Sequence, residues 1–228
     1  MSRIFENTKE ALNEIERDIM EMGIMVHPHT MQNKDVKDND DYSTKEVQNY
    51  SFTILDADDA GAQVPSIEWA SAEFMERISA IEINPGTAWE LRADVWKEFL
   101  DKNGQFDYTY NQRLNDWDQI NKVIKELKVN PDTRQAIVHV HRPSDINSMR
   151  KLRMPCSMYY QFMVRRGKLD VIYNMRSSDY DTHFRNDIYL AHSLRNYIAN
   201  LVNIPVGLLH MNIGSLHRYK NYTTKHVF

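Results

Sequence analysis

An α+β domain is the fold class this 228-residue sequence predicts, and three observations carry the expectation. Apolar runs at helical spacing and apolar runs of strand character both occur along the chain. Arg165-Arg166-Gly167-Lys168 joins two of the strand-like runs as a tight hairpin, with a glycine available for positive φ. No internal repeat and no Pro/Gly/Ser linker interrupts the sequence, and seven glycines with seven prolines argue against a loop-dominated architecture. Residues 1–228 therefore read as one domain.

In order, Ile4, Ala11, Leu12, Ile15 and Ile19 fall at helical spacing over residues 4–22, with Gly23 as the stop. Residues 27–46 are polar and charge-rich and read as a mobile loop. Residues 50–55 read as a strand. Pro65 and Ser66 introduce a helix to about Ile81, with Ile67, Ala70, Phe74, Met75 and Ile78 as its apolar stripe. Glu68 lies in its first turn, where the helix dipole favours an acid. A second helix spans residues 88–102, with Val95, Trp96, Phe99 and Leu100 inward, and residues 107–112 form an aromatic turn. A third helix spans residues 115–128, with Trp117, Ile120, Val123, Ile124 and Leu127 inward.

The turn at residues 130–133 leads Arg134 into a strand at 136–140. A polar connection at 142–150 precedes the hairpin strands at 158–164 and 169–174. A dense polar segment at 176–188, a helix at 188–202, a strand at 206–211 and a polar cluster at 214–219 complete the chain.

Bulk properties restrict the function. The formal net charge of −4 gives no general attraction to nucleic acid or anionic membrane, so any phosphate binding is local. A single cysteine rules out an internal disulfide and suits a reducing compartment. The first residues lack the apolar core of a signal peptide, and no run reaches the length of a membrane span. A cytoplasmic protein without stable nucleic-acid partners is expected.

Cys156 and the segment 176–188 are where chemistry is expected. A lone cysteine is as readily an apolar filler as a nucleophile. Here Arg153 lies three residues before it, and a cation near sulfur lowers a thiol from its ordinary pKa of about 8.5.

Several motifs then occur in one order. They are Pro155-Cys156-x4-Gln161-Phe162, Arg176-Ser177-x-Asp179 and Gly214-x-x-His217-x-Tyr219-x-Asn221. Upstream stand Asn130-Pro-Asp-Thr-Arg134, the ungapped stretch from Trp96 to Tyr110, and Glu68-Trp69. Together they resemble the thymidylate synthase family over roughly residues 60–222.

The resemblance implies a large mixed β-sheet flanked by helices, in a homodimer paired through the sheet. It implies that Cys156 is the nucleophile adding to carbon 6 of a pyrimidine nucleotide, so that carbon 5 accepts a one-carbon unit from methylenetetrahydrofolate. Arg176 and Ser177 would hold the phosphate, and Arg134 would reach it from the second subunit. His217 and Tyr219 would bind the deoxyribose hydroxyl, and Tyr110 would line the pocket. Glu68 would organise water and move protons, Trp96 would lie against the cofactor, and Asp179 would bind the pterin and serve catalysis. No metal is implied.

Departures from the family pattern bear on substrate and product. Ser157 follows the cysteine, Met175 precedes Arg176, Gln135 follows Arg134, and His183 stands where the family has a flexible glycine. The sequence ends at Phe228, soon after the His-x-Tyr motif. Counted without gaps from Arg176, the position where synthases set an asparagine against uracil is Asp187. A carboxyl group accepts from the cytosine amino group, and a shared proton gives a second bond to N3. A one-residue gap would instead place Asn186 there and restore uracil.

With Asp187 as reader, the chain resembles the deoxycytidylate (dCMP) hydroxymethylases of viruses that replace cytosine in their DNA, acting then in host cytoplasm. Water, not hydride, captures the methylene in that chemistry. Alternatives are methylation or hydroxymethylation of dUMP, methylation of dCMP, or a catalytically silent relative that binds nucleotide or RNA.

Overall fold

The computed structural model describes residues 3–31, 34–146 and 153–220. Asn33, residues 147–150 of the polar connection, Asn221 and the end of the chain lie outside the described residues.

Strand β1 (Arg3–Asn7) precedes helix α1 (Thr8–Met22). Asn7 ends the strand and caps the helix, its side chain accepting from Glu10 N at 2.9 Å. Ala11, Leu12, Ile15 and Ile19 are buried as their spacing predicts, each larger side chain worth roughly 1.5–3 kcal/mol. Ile4 departs from the expectation. It lies on β1 rather than on the helix and is 67% exposed.

The expected loop at 27–46 carries structure instead. After β2 (Ile24–Val26), β3 (Thr30–Met31) pairs with β4 (Lys34–Asp35). A 3₁₀ turn follows at Asp40–Tyr42, and β5 (Thr44–Asp56) begins well before the predicted strand. Local hydrogen bonds fix this polar stretch, for example Ser43 Oγ to Asp40 at 2.7 Å.

Helix α2 (Ala60–Gln63) and α3 (Ile67–Ile78) follow, α3 capped by Ser66. Ile67 and Met75, expected inward on α3, are exposed, and its buried residues are Trp69, Ala70 and Arg77. The predicted helix at 88–102 is broken into a 3₁₀ turn at Ala88–Arg92, helix α4 (Ala93–Trp96) and a 3₁₀ turn at Lys97–Phe99. The predicted aromatic turn runs into helix α5 (Tyr110–Asn115), started by a Thr109/Gln112 capping box. The chain then kinks at Trp117 and Asp118, both with positive φ, before α6 (Gln119–Val129). Trp117, expected inward, is 84% exposed because the kink turns it out of the helix.

Strand β6 (Ile137–His139) leads to β7 (Ser157–Arg165) and β8 (Lys168–Asp179). Arg166 and Gly167, at φ 54° and 72°, make the two-residue turn between β7 and β8, a primed geometry matched to strand twist. Helix α7 (Phe184–Val202) and strand β9 (Val206–Tyr219) close the fold. Both β8 and β9 run past their predicted ends, through the polar clusters.

Six strands run in the order β1-β5-β9-β8-β7-β6, and β2 adds to β5. Strands β8 and β9 are parallel across α7, whereas β5–β9, β7–β8 and β6–β7 are antiparallel. Register makes one face the core. Phe52, Met211, Tyr173, Tyr160 and Val138 lie side by side across five strands, and all are buried. The next row, on the opposite face, is Thr53, His210, Ile172, Gln161 and Ile137. Gly214 allows β9 to approach β8 closely, because a Cβ there would meet the Arg176 carbonyl oxygen at 2.8 Å. This is the mixed sheet with flanking helices expected from the sequence. No helix among the described residues is long and apolar enough to cross a membrane.

Candidate active site

The C-terminal ends of β8 and β9, the start of α7 and one face of α3 open onto a cavity of about 470 Å³. Cys156, Arg176, Ser177 and Asp179 line it, together with Asp187, His217 and Tyr219. Tyr110 and Trp96 also line it. The sequence spreads these residues over more than a hundred positions, and the sheet brings them together.

Cys156 stands just before β7, half-buried and free. Arg176 braces the turn that carries it. Its Nε and one terminal nitrogen donate to the carbonyls of Pro155 and Met154, each at 2.9 Å, and that nitrogen lies 3.8 Å from Cys156 Sγ. The expected thiolate stabilisation is outweighed. Burial pushes the Cys156 thiol up, against the opposing pull of Arg176 and Arg153.

At the next strand, His217 pairs with Asp179 in register, and its Nδ1 lies 3.3 Å from Ser215 Oγ. Ser215 in turn donates to Glu46 of β5, so the supposed loop region supplies a pocket wall. The edge-on ring of Tyr219 lies 6.0 Å from that of His217.

Asp187 sits in the first turn of α7 and faces the cavity. Ser178 Oγ donates to one of its oxygens at 2.7 Å. Burial pushes its carboxyl up to about 7, opposed by the Ser178 hydrogen bond and the Arg77 charge. Asn186 is 1% exposed and does not line the cavity, so the ungapped register is the one that faces the pocket.

The raised carboxyl has a stability consequence. Between about pH 4 and pH 7 the folded chain keeps a proton that the unfolded chain has released, so stability falls as pH rises through that window. The loss is at most on the order of 4 kcal/mol. Asp187→Asn is expected to gain Tm relative to the unchanged protein as pH rises from 5 to 8 by scanning calorimetry. An offset that stays constant with pH would contradict this.

Two expected site residues lie elsewhere. Glu68 is exposed and does not line the cavity, because it projects from the outer side of α3. Arg134 is exposed at the β6 edge and does not line the cavity of its own chain.

Glu73 and Arg77, which sequence reading passed over, line the cavity, as do Arg153, the cation expected near the thiol, and His183, at the family's glycine position. Glu73 accepts from Arg77 Nε at 3.1 Å, and its other carboxylate oxygen is buried with no hydrogen-bond partner among the described residues. The Arg77 guanidinium lies 3.9 Å over the Tyr110 ring. Arg153 is held among Trp96, Phe99, Phe106 and Tyr108 at 4.4–5.9 Å, with its Nε buried and unpartnered. A Glu–Arg pair at i,i+4 beside buried Trp69 was the available signal for the inner face of α3.

This arrangement gathers a thiol, several cationic and hydroxyl side chains, a carboxyl group and aromatic walls around one cavity. Among the described residues, no group of three or more His, Cys, Asp or Glu side chains is placed to hold a metal ion.

Comparison with known proteins agrees with this geometry. The family model described as thymidylate synthase matches residues 84–227. A putative thymidylate synthase of Methanosarcina barkeri is 31% identical over 187 residues, 76% of this chain and 81% of that protein. Two solved structures share the fold. Thermostable thymidylate synthase A from Bacillus subtilis superposes with a TM-score of 0.74 at 20% identity, covering 93% of this chain and 80% of that one. Thymidylate synthase from T4 phage superposes with a TM-score of 0.73 at 24% identity, covering 94% and 78%.

Proposed function

Because the chain belongs to the thymidylate synthase family, we propose that it transfers a one-carbon unit to carbon 5 of dCMP, giving 5-hydroxymethyl-dCMP. The observation that carries the choice of base is Asp187, a half-buried carboxyl on the pocket wall where an amide would suit uracil. Its elevated pKa keeps a proton available near neutrality. That proton can be shared with cytosine N3 while the carboxyl accepts from the amino group, making two hydrogen bonds.

Cys156 sulfur adds to carbon 6, and the displaced electron pair makes carbon 5 nucleophilic. Arg176 lies close enough to stabilise the thiolate that must form first. Arg176 and Ser177 hold the phosphate, while His217 and Tyr219 hold the sugar hydroxyl. Tyr110 is a pocket wall kept in place by Ser157 Oγ at 3.2 Å. Glu73 takes the proton-handling role expected of Glu68, since its unpartnered oxygen is buried at the cavity.

The pocket suits a folate. Trp96 and its aromatic neighbours supply flat faces, and Asp179 and the unpartnered Glu73 oxygen supply acceptors for ring nitrogens. Methylenetetrahydrofolate supplies the one-carbon unit when bound.

The active unit in this reading is a homodimer paired through the open face of the sheet, with Arg134 completing the partner's phosphate site. The exposure of Arg134 away from its own cavity supports that arrangement.

Titration calorimetry tests the choice of nucleotide. The protein is expected to bind dCMP at least about tenfold more tightly than dUMP, the equivalent of one well-made hydrogen bond. Tighter binding of dUMP would contradict the cytosine assignment.

A further inference from the structure

We infer that Glu46 is a positioning residue for the sugar end of the nucleotide: through Ser215 it holds the His217 imidazole with its hydrogen on Nδ1, so that Nε2 accepts a hydrogen bond from the sugar hydroxyl. The inference rests on the reading above, in which His217 holds that hydroxyl, and adds the direction in which the bond runs.

Cross-strand register puts the side chains concerned on one face of the sheet. Glu46 of β5 lies directly opposite His217 of β9, and Gln48 lies opposite Ser215. Alternate residues of a strand share a face, so the two rows stand side by side. Strand β8 continues them, with Asp179 beside His217 and Ser177 beside Ser215. Glu46, Ser215 and His217 line the same cavity as Ser177 and Asp179.

The hydrogens along this chain can be counted. Ser215 Oγ donates to one Glu46 oxygen, and Gln48 Nε2 donates to the other at 3.1 Å. The carboxylate is thus held on both sides, and a carboxylate only accepts. A serine hydroxyl has one hydrogen, and Glu46 takes it. The 3.3 Å contact between Ser215 Oγ and His217 Nδ1 is therefore made with the hydrogen of the imidazole. A neutral imidazole carries one N–H, so Nε2 keeps a lone pair and meets the sugar hydroxyl as an acceptor. Without Glu46 the serine hydrogen turns to Nδ1, the imidazole hydrogen sits on Nε2, and the ring donates instead. Ser215 is no nucleophile in this chain, because its hydrogen goes to the acid and not to the imidazole.

Two readouts test the chain. Nitrogen resonances of the imidazoles are recorded without nucleotide at alkaline pH, where imidazoles are neutral, and His217 is assigned by its absence from His217→Gln. The unchanged protein is expected to show the Nδ1–H form. Glu46→Leu and Ser215→Ala, which break the chain at its end and at its middle, are expected to show the Nε2–H form. The Nε2–H form in the unchanged protein, or one form in all three proteins, would overturn the inference. Titration calorimetry then compares each nucleotide, dCMP and dUMP, with its 3′-fluoro analogue, which accepts a hydrogen bond but cannot donate one. The unchanged protein is expected to bind the analogue about tenfold more weakly, the equivalent of one hydrogen bond. In Glu46→Leu the gap is expected to narrow to about twofold, because an Nε2–H can give its hydrogen to oxygen or fluorine. A purely structural role for Glu46 would weaken both ligands alike and leave the gap unchanged, and that result would overturn the inference. Equal binding of hydroxyl and fluoro ligands by the unchanged protein, with either base, would instead overturn the assignment of His217 to the sugar. The ligand-free resonances decide the Glu46–Ser215–His217 chain in that case too.

Discussion

Cys156→Ser is expected to lower turnover by about a thousandfold or more while nucleotide affinity stays within a few-fold. A thousandfold is about 4 kcal/mol of lost transition-state stabilisation. The asymmetry follows from geometry. Arg176 is oriented mainly by the Pro155 and Met154 carbonyls, and its contact with sulfur is longer, so the proposed phosphate site survives removal of the thiol. A serine hydroxyl at the same position gains little from Arg176, because its ordinary pKa lies far above that of a thiol. Single-turnover rates with equilibrium binding measured in parallel would separate the two effects. Substantial residual turnover would reject Cys156 as the nucleophile.

Asp187→Asn is expected to move the kcat/KM ratio toward dUMP by about a hundredfold or more, because the wrong base leaves buried polar groups unpaired. An asparagine donates and accepts in fixed positions that suit uracil O4 and N3–H, and Ser178 Oγ still finds an acceptor in the amide oxygen. Asn186→Asp is expected to leave the preference unchanged, since Asn186 does not line the cavity. A shift produced by the change at 186 and not at 187 would reverse the assignment.

Much of the fold was legible because apolar periodicity and burial agree. The apolar stripe of α1, the β7–β8 hairpin and most of α7 follow directly from spacing and turn chemistry. The errors nearest the site share one physical cause. Where an element faces the cavity, its inward residues are polar, and a hydrophobic pattern ends too early or selects the wrong face. Strand β8 continues through Arg176, Ser177, Ser178 and Asp179, which read as a loop from their polarity. Helix α3 turns Trp69, Glu73 and Arg77 inward, while the apolar Ile67 and Met75 face outward. That rotation separates exposed Glu68 from cavity-lining Glu73.

The site was legible for a different reason. Motif order singled out Cys156, Arg176, Asp179, His217 and Tyr219 without any knowledge of side-chain direction, and all five line the cavity. Residues outside those motifs, such as Arg153 and His183, had no signal of this kind. Their surroundings are aromatic rings contributed by distant segments.

The central claim is that a cytosine nucleotide receives a hydroxymethyl group at the Cys156 site. The most direct measurement incubates the protein with dCMP and methylenetetrahydrofolate, determines the nucleotide product by mass and follows folate by absorbance. The account predicts 5-hydroxymethyl-dCMP with tetrahydrofolate released unoxidised. A methylated nucleotide accompanied by dihydrofolate would contradict it.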